Sequence, residues 1–432
     1  MKKISLPLQI AISMIAGIIF ALILIVFKWD TSFVRTYIGP IGLIFINSLK
    51  ALAIPLVFTG IIQGVSSTNG NQEFSIIGLR VTLLYVLTTL LAVCIGLAIA
   101  GFIQPGKKFS PSIKSDLAKQ YEVYQHTKTA LAPSDEVIAK AEIIPDNLLK
   151  AFSDNQNLLL LVLFAILLAM ALFNIKGGQR KLILDFLGAV NQLFGEVVKL
   201  IMYLAPLGIF SLTCSILVEQ AAERGIANVY DFLVGIMWYT GTVVASLAFM
   251  TFVIYPFLVF LFNRFSYLKF IKGIYKAQMI AFSTSSSLIA LPASIECAEK
   301  NLGVSKKISH FVLSLGATIN MDGTVLYQAI ATSFIAQAYG LTFTLEKIVT
   351  ILGYLTISSF GLGGIPGISI GTTSILLHTL GIPPEGIVLI VMPDRFLDML
   401  RTVTNITGDL FVVFTTDRLE KRKAKKDMET RQ

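Results

Sequence analysis

Long apolar segments alternate with short polar connections over the first 263 residues of the chain. Six of these segments are long enough to cross about 30 Å of hydrocarbon. They cover residues 6–27, 37–66, 76–104, 154–174, 186–218 and 229–262. Several exceed the length of a simple span, which implies tilted helices or helices surrounded by protein. The pattern predicts six membrane-crossing helices in this part of the chain.

After residue 263 a different unit occurs twice: a broken apolar segment followed by a helix with a polar core. The two copies cover residues 268–297 with 307–337, and residues 345–380 with 385–416. Polar or glycine-rich runs, Ser283–Ser287 and Ser358–Gly367, interrupt the broken segments. Neither half of a broken segment is long enough to span. We therefore expect two re-entrant hairpins in inverted repeats around a site near the bilayer midplane.

The last of these helices carries a polar stripe. Its members are Asp394, Asp398, Arg401, Thr402, Asn405 and Asp409. At about 100° of rotation per residue they fall within an arc of roughly 100°. A charge at bilayer depth costs about 2.5–3.5 kcal/mol on insertion scales, so such residues are rare and usually line a cavity. The stripe predicts that the protein handles a charged solute or ion inside the membrane.

Composition separates this chain from soluble proteins. Of its 432 residues, 55% are hydrophobic and 14% are charged, and the mean hydropathy is +0.76. A soluble domain of this length would carry about a quarter charged residues. We therefore expect an all-α, multi-pass protein of the lipid bilayer, located in the cell (inner) membrane.

The formal net charge of +9 lies largely in short connections and in the C-terminal tail, so it indicates topology and no nucleic-acid partner is expected. Basic residues cluster at 2–3, 176–181, 264–276 and 418–426. The positive-inside rule then predicts that both termini are cytoplasmic. Six crossings before residue 263 and two after it give eight, an even number that satisfies this rule.

Groups outside the stripe add candidate chemistry. The run Ser285–Ser287 supplies hydroxyls and helix-end N–H groups that suit a carboxylate. The run Gly364–Gly367 supplies a flexible turn whose backbone can approach a ligand and close over it. Asp322 has no basic residue nearby in its own helix, so it needs a cation or a proton. We expect Gly323 and Thr324 to unwind that helix and free carbonyl oxygens for an alkali ion.

Two residues of the stripe predict the kind of solute. Arg401 offers a planar fork that binds a carboxylate through two hydrogen bonds. Asp398 can accept hydrogen bonds from an ammonium group. Together they describe a zwitterion with an additional acid group. The alternative is a structural ion pair between Asp398 and Arg401, which are spaced i, i+3.

The combined motifs resemble the dicarboxylate/amino acid:cation symporters, the family of glutamate and aspartate transporters. The matching stretches cover Ala281–Ser287, Gly316–Thr324, Gly364–Gly367, Asp394–Thr402 and Asn405–Asp409, in the same order. The likeness implies eight spans, two oppositely oriented hairpins, a homotrimer and an elevator-like movement of a transport domain against a scaffold.

The resemblance also implies residue roles. Substrate would be surrounded by Ser285, Ser286, Ser287, Thr324, Gly364, Ile365, Pro366, Gly367, Asp394, Asp398, Arg401, Thr402 and Asn405. Sodium ions would be held by Tyr85, Thr88, Thr89, Gly316, Asn320, Met321, Asp322, Asn405 and Asp409. By the same likeness, the Asn-Met-Asp-Gly-Thr motif and Asp409 favour sodium over proton coupling, and Arg401 favours an acidic substrate.

The leading hypothesis is a sodium-coupled symporter of an acidic amino acid. Alternatives are a proton- or sodium-coupled C4-dicarboxylate symporter, a passive channel and a membrane enzyme, although the sequence has no nucleophile–base pair, metal set or phosphate loop. The expected organisation is a scaffold and trimerisation part (1–75 and 150–262), a transport domain (76–105 and 263–417), an extracellular loop (106–149) and a basic cytoplasmic tail (418–432).

Overall fold

The protein is described by a computed structural model that covers residues 6–66, 72–131, 158–175, 178–224, 226–361 and 368–429. Within these ranges every regular element is a helix, and no strand occurs. The all-α class expected from the apolar pattern is therefore confirmed for the described part of the chain.

Nine α-helices form the first part of the described chain. They are α1 (Leu6–Val26), α2 (Gly39–Ser66), α3 (Gln72–Ile103), α4 (Pro111–Leu131), α5 (Leu158–Asn174), α6 (Gly178–Tyr203), α7 (Ala205–Arg224), α8 (Ile226–Phe249) and α9 (Tyr255–Asn263). A π-helical turn, Met250–Ile254, joins α8 to α9 without a break.

Five helical stretches of the described residues are long and apolar enough to cross a membrane. They are Leu8–Val26, Val34–Gln63, Ile77–Lys108, Ala205–Ala222 and Ile226–Asn263. Four of them overlap the first, second, third and sixth apolar segments that the sequence predicts. The remaining stretch, Ala205–Ala222, overlaps the C-terminal part of the segment predicted at 186–218. Length and composition thus support a multi-pass membrane protein.

The predicted span at 186–218 is two helices rather than one. The chain leaves helical geometry at Leu204, between α6 and α7. Pro206 stands at the second position of α7 and has no N–H to bond to the carbonyl of the preceding turn, so the loss of this hydrogen bond favours a break there.

The predicted loop at 106–149 begins with a helix, which its sequence did not predict. Helix α4 occupies most of its first half, and Ile113 and Leu117 of this helix are buried. Just before it, the ring of Phe109 stacks on Phe232 of α8 with centroids 5.9 Å apart. Apolar anchors at one-turn spacing therefore hold this segment against the protein. The rest of the predicted loop, residues 132–149, lies outside the described residues.

Seven α-helices follow residue 263 in the described part of the chain. They are α10 (Tyr267–Thr284), α11 (Ser287–Glu296), α12 (Lys306–Ile319), α13 (Asp322–Ala338), α14 (Leu345–Ser358), α15 (Ile368–Thr379) and α16 (Val388–Glu429). The order is thus a helix pair, α10 and α11, then a broken helix, then a second pair, α14 and α15, then a long helix.

The serine run forms the turn of the first pair, where the sequence predicts a break. Ser285 ends α10 in the left-handed region, with φ of +50°, and its N–H donates to the carbonyl of Ala281 over 2.8 Å. Ser286 is extended and caps α11 by accepting a hydrogen bond from the N–H of Ile289. Because one residue closes a helix and the next opens another, the chain reverses within two residues.

The break in the first polar helix lies earlier than predicted. Asn320 and Met321 leave helical geometry between α12 and α13, whereas Gly323 and Thr324 lie in the first turn of α13. The expectation that the glycine and threonine unwind the helix is therefore wrong. They lie at its N-terminus, where backbone N–H groups have no acceptor in their own helix and can donate to a group on another helix.

Helix α13 is the centre of the molecule. Nearly all of its residues are buried, and it packs on α3, α8 and α16. Helix α16 in turn packs on α10 and α12. The polar stripe of α16 and the break before α13 therefore meet inside protein.

The region expected to be a basic tail, 418–432, continues α16 as helix to Glu429. Charged contacts fix this continuation. Arg80 of α3 lies 2.7 Å from Glu420, and Lys421 lies 2.6 Å from Asp417.

Candidate functional site

All six members of the predicted polar stripe are buried. None exposes more than 8% of its surface, and Arg401 exposes none. They are Asp394, Asp398, Arg401, Thr402, Asn405 and Asp409. The stripe therefore faces protein rather than lipid, as a functional set of charges at membrane depth must.

The guanidinium of Arg401 makes two ion pairs within its own helix. Its Nη1 lies 3.0 Å from Asp394 Oδ1, and its Nη2 lies 2.8 Å from Asp398 Oδ1. Nη1 also donates to the hydroxyl of Ser369 on α15 over 2.9 Å. The guanidinium carbon lies 4.0 Å from the centre of the Tyr327 ring, a cation–π contact. The ion pair weighed as an alternative from the i, i+3 spacing is therefore present.

A second arginine belongs to this cluster. Arg395 Nη1 lies 2.7 Å from Asp398 Oδ2, and Tyr327 donates its hydroxyl to Asp394 over 2.7 Å. Two arginines and two aspartates thus form one chain of ion pairs with no formal net charge. We call these four residues, Asp394, Arg395, Asp398 and Arg401, the arginine–aspartate cluster.

Asp322 is a buried carboxylate of a different kind. Its side chain accepts a hydrogen bond from Thr89 of α3 over 2.7 Å and another from Tyr255 of α9 over 2.5 Å. Within the described chain, no lysine, arginine or histidine lies within ion-pair distance of it. Hydroxyl groups from two other helices therefore surround a charge that no base balances.

Asp409 of α16 is a second buried carboxylate that no base balances. Asn320 donates to its Oδ1 over 2.9 Å, and the described residues again supply no basic partner. The side-chain amide oxygen of Asn320 is buried and has no hydrogen-bond partner among the described residues. A Cβ added at Gly316 would collide with the Tyr85 hydroxyl and the Asp409 carboxylate, so a larger residue there would displace these oxygens. These oxygens are hard donors of the type that alkali and other hard cations prefer.

Asn405 joins α16 to the break before α13. Its side-chain oxygen accepts hydrogen bonds from the N–H groups of Gly323 and Thr324, over 2.7 and 3.4 Å. Its amide nitrogen lies 3.4 Å from the sulfur of Met321. The side chain thus satisfies the N-terminus of α13, which explains how the chain tolerates a broken helix at membrane depth.

The remaining predicted residues divide into three groups. The hydroxyls of Ser285 and Ser287 are buried without hydrogen-bond partners, so they remain available to a ligand. Thr402 and Thr88 instead donate to carbonyls of their own helices. The predicted substrate contacts Gly364, Ile365, Pro366 and Gly367 lie outside the described residues.

Four further residues of the site were not predicted from the sequence. They are Tyr255, Tyr327, Ser369 and Arg395. Arg395 directly follows Asp394 in the stripe helix, and its charge in an apolar segment was a usable signal. Tyr255 carried no such signal, because tyrosine is common near membrane interfaces and its partner Asp322 is distant in the chain.

Comparison with known proteins adds independent information. A profile of the sodium:dicarboxylate symporter family matches residues 6–419. The proton/sodium-glutamate symport protein of Bacillus subtilis is 31% identical over 420 residues, which covers 97% of this chain and 93% of that protein. The proton/sodium-glutamate symport protein of Geobacillus stearothermophilus is 31% identical, with 95% and 93% covered. Excitatory amino acid transporter 3 of Oryctolagus cuniculus is 28% identical, with 98% and 87% covered.

The match covers nearly the whole chain, including both helix pairs and the arginine–aspartate cluster. The family resemblance expected from the motifs is confirmed, and the protein is a membrane transport protein rather than an enzyme. The chain belongs to the sodium:dicarboxylate symporter family.

Proposed function

We propose that this protein carries an acidic amino acid, aspartate or glutamate, across the cytoplasmic membrane together with sodium ions. One observation carries the proposal. Two buried carboxylates without a base, Asp322 and Asp409, accompany a cluster in which arginines and aspartates already balance each other. The two unbalanced carboxylates require cations. The arginine–aspartate cluster contains both the positive and the negative charges that bind an acidic amino acid.

Substrate recognition requires an exchange of partners at Arg401. The side-chain carboxylate of the substrate takes the fork of the guanidinium, which releases Oδ1 of Asp398. That oxygen then accepts the substrate's ammonium group. The α-carboxylate fits the free hydroxyls of Ser285 and Ser287 at the N-terminus of α11, where N–H groups favour an anion. The run Gly364–Gly367 is proposed to close over the bound substrate.

Sodium coupling follows from the two carboxylates that lack a base. One ion beside Asp409 would use oxygens of Asn320, Asn405 and the backbone at Gly316. Another beside Asp322 would use hydroxyls such as those of Thr89, with a further ion near Met321 and the second helix pair. The named relatives include a proton/sodium-glutamate symport protein, and sodium is the coupled ion that we propose here.

The proposed architecture has eight spans, two re-entrant hairpins (α10–α11 and α14–α15) and both termini in the cytoplasm. The protein would form a homotrimer, in which α3 and α10–α16 move as an elevator against a scaffold of α1, α2 and α5–α7. Mutual packing within each group supports this division. Because Tyr255 donates to Asp322, we propose that α8 and α9 travel with the moving group and that its boundary precedes residue 263.

Uptake into liposomes tests the function. The purified protein is reconstituted with a sodium gradient, a pH gradient or neither, and labelled aspartate is supplied outside. We expect accumulation with an inward sodium gradient, and competition by unlabelled glutamate. Uptake that follows the pH gradient alone, or ion flux without substrate, would contradict the proposal.

A second candidate is a symporter of C4-dicarboxylates, driven by protons or sodium. It is favoured by the fact that both oxygens of Asp398 already bind arginines, which weakens the attraction of this carboxylate for an ammonium group. Such a carrier has no need of an ammonium acceptor. Asp398→Ala would then spare succinate uptake, whereas it should abolish aspartate uptake in the leading proposal.

A further inference from the structure

Asp398 is held by two different guanidinium groups at once. Arg401 bonds to Oδ1 over 2.8 Å and Arg395 bonds to Oδ2 over 2.7 Å. The side chain of Arg395 is only 8% exposed, and its Nε has no hydrogen-bond partner. Asp398 is therefore the only hydrogen-bond and ion-pair partner that the described residues offer to this buried cation.

The two contacts differ in what substrate binding does to them. In the proposed exchange Arg401 turns to the substrate and leaves Oδ1, while nothing in the exchange displaces Arg395 from Oδ2. The carboxylate that receives the substrate is then one half of a neutral pair. An unpaired buried carboxylate would attract an ammonium group strongly and repel a second carboxylate; a paired one does both more weakly.

We propose that Arg395 is a positioning residue that tunes discrimination between acidic amino acids and dicarboxylates lacking an ammonium group. It acts through Asp398, by keeping half of that carboxylate engaged while substrate is bound. The inference rests on the proposed function, and it identifies the ammonium group as the substrate feature that the site recognises. With Arg395 in place, the site accepts succinate as well as aspartate, with only modest preference.

Binding of the two ligands to purified full-length protein tests this. Aspartate and succinate are titrated in saturating sodium against the wild type, Arg395→Gln and Arg395→Lys. A control, Arg80→Gln, removes one positive charge from the distant surface pair with Glu420. The measured quantity is the ratio of the dissociation constants for succinate and aspartate.

We expect Arg395→Gln to bind aspartate more tightly and succinate more weakly, so that the ratio rises by about tenfold or more. Arg395→Lys keeps the charge and should stay close to the wild-type ratio. Arg80→Gln should not change it. A purely structural arginine would behave differently, because its loss would weaken both ligands by the same factor. Equal weakening, or an unchanged ratio, overturns the inference.

The wild type gives a second test, which does not depend on the folding of Arg395→Gln. If Arg395 keeps one oxygen of Asp398 bound, the dissociation constant for succinate should exceed that for aspartate by no more than about a hundredfold. A preference for aspartate above about a thousandfold overturns the inference while leaving the proposed function intact. Failure of the wild type to bind aspartate, glutamate or succinate in sodium would instead sink the proposed function.

Discussion

Replacing Asp409 by asparagine should have opposite effects on the sodium-free protein and on sodium binding. Asp409 is 3% exposed, and its one hydrogen-bond donor among the described residues is Asn320 at 2.9 Å. A buried ion costs several kcal/mol unless it is paired. A hydrogen bond to a charged group returns about 1.5–3 kcal/mol of this. Asparagine has nearly the same shape and no charge, so we expect it to stabilise the sodium-free protein by about 1–2 kcal/mol.

The same substitution removes the charge that a cation needs. Two unit charges 4 Å apart attract by about 4 kcal/mol at an effective dielectric constant of 20. The neutral amide oxygen still coordinates and retains part of this. We expect a net loss of about 2 kcal/mol, which corresponds to roughly thirtyfold weaker sodium binding.

Thermal unfolding of the detergent-purified protein measures both effects in one titration with sodium chloride, with choline chloride holding ionic strength constant. Asp409→Asn should start from a higher melting temperature and gain less from sodium. Asp417→Asn is the matched control, because Asp417 is equally buried but pairs with Lys421 and accepts from the N–H of Ser305. It should melt lower and respond normally to sodium. If the melting temperature of Asp409→Asn responded to sodium as that of the wild type does, the reasoning would be refuted.

Three further substitutions test other parts of the site. Arg401→Cys removes both charge-assisted hydrogen bonds of the fork, so acidic substrate should bind at least a hundredfold more weakly while some neutral amino acid binding remains; unchanged aspartate affinity by calorimetry would count against this role. Tyr255→Phe removes one of the two hydroxyls on Asp322 and should weaken sodium activation of uptake by about tenfold, with unaltered activation as the contrary result. Gly316→Ala should abolish sodium-dependent uptake, because a Cβ there meets two site oxygens. In the control Gly353→Ala the added Cβ meets nothing within 4 Å, so this variant should transport normally. Equal uptake rates in the two variants would show that the crowding at Gly316 is harmless.

The sequence predicts most of the fold, because a membrane leaves few options for an apolar chain. Every polar group of the backbone must be satisfied within the protein, so helices and their breaks follow from apolar length and from runs such as Ser283–Ser287. Helix α4 escaped prediction because its sequence is mostly polar, with few apolar anchors such as Ile113 and Leu117. The break before α13 was placed at Gly323, since flexible residues suggest unwinding; in the structure it precedes them.

The stripe on α16 was predictable and its partners were not. A period of 3.6 places Asp394 through Asp409 on one face, and burial of charge then identifies that face as functional. The hydroxyl of Tyr255 reaches Asp322 only through the packing of helices far apart in the chain. No local pattern encodes such a contact. Arg395 was visible in the sequence, but its attachment to Asp398 depends on which rotamer the buried neighbours allow.

Helix α16 has 42 residues, so it extends for about 63 Å, roughly twice the depth of the hydrocarbon layer. Arg401 lies about a third of the way along this helix, and Glu429 forms the far end, about 42 Å beyond it. Any tilt or translation of the arginine–aspartate cluster together with this helix must reappear at Lys423, whose side chain is exposed. A fluorophore attached there would report the position of the buried cluster without touching it.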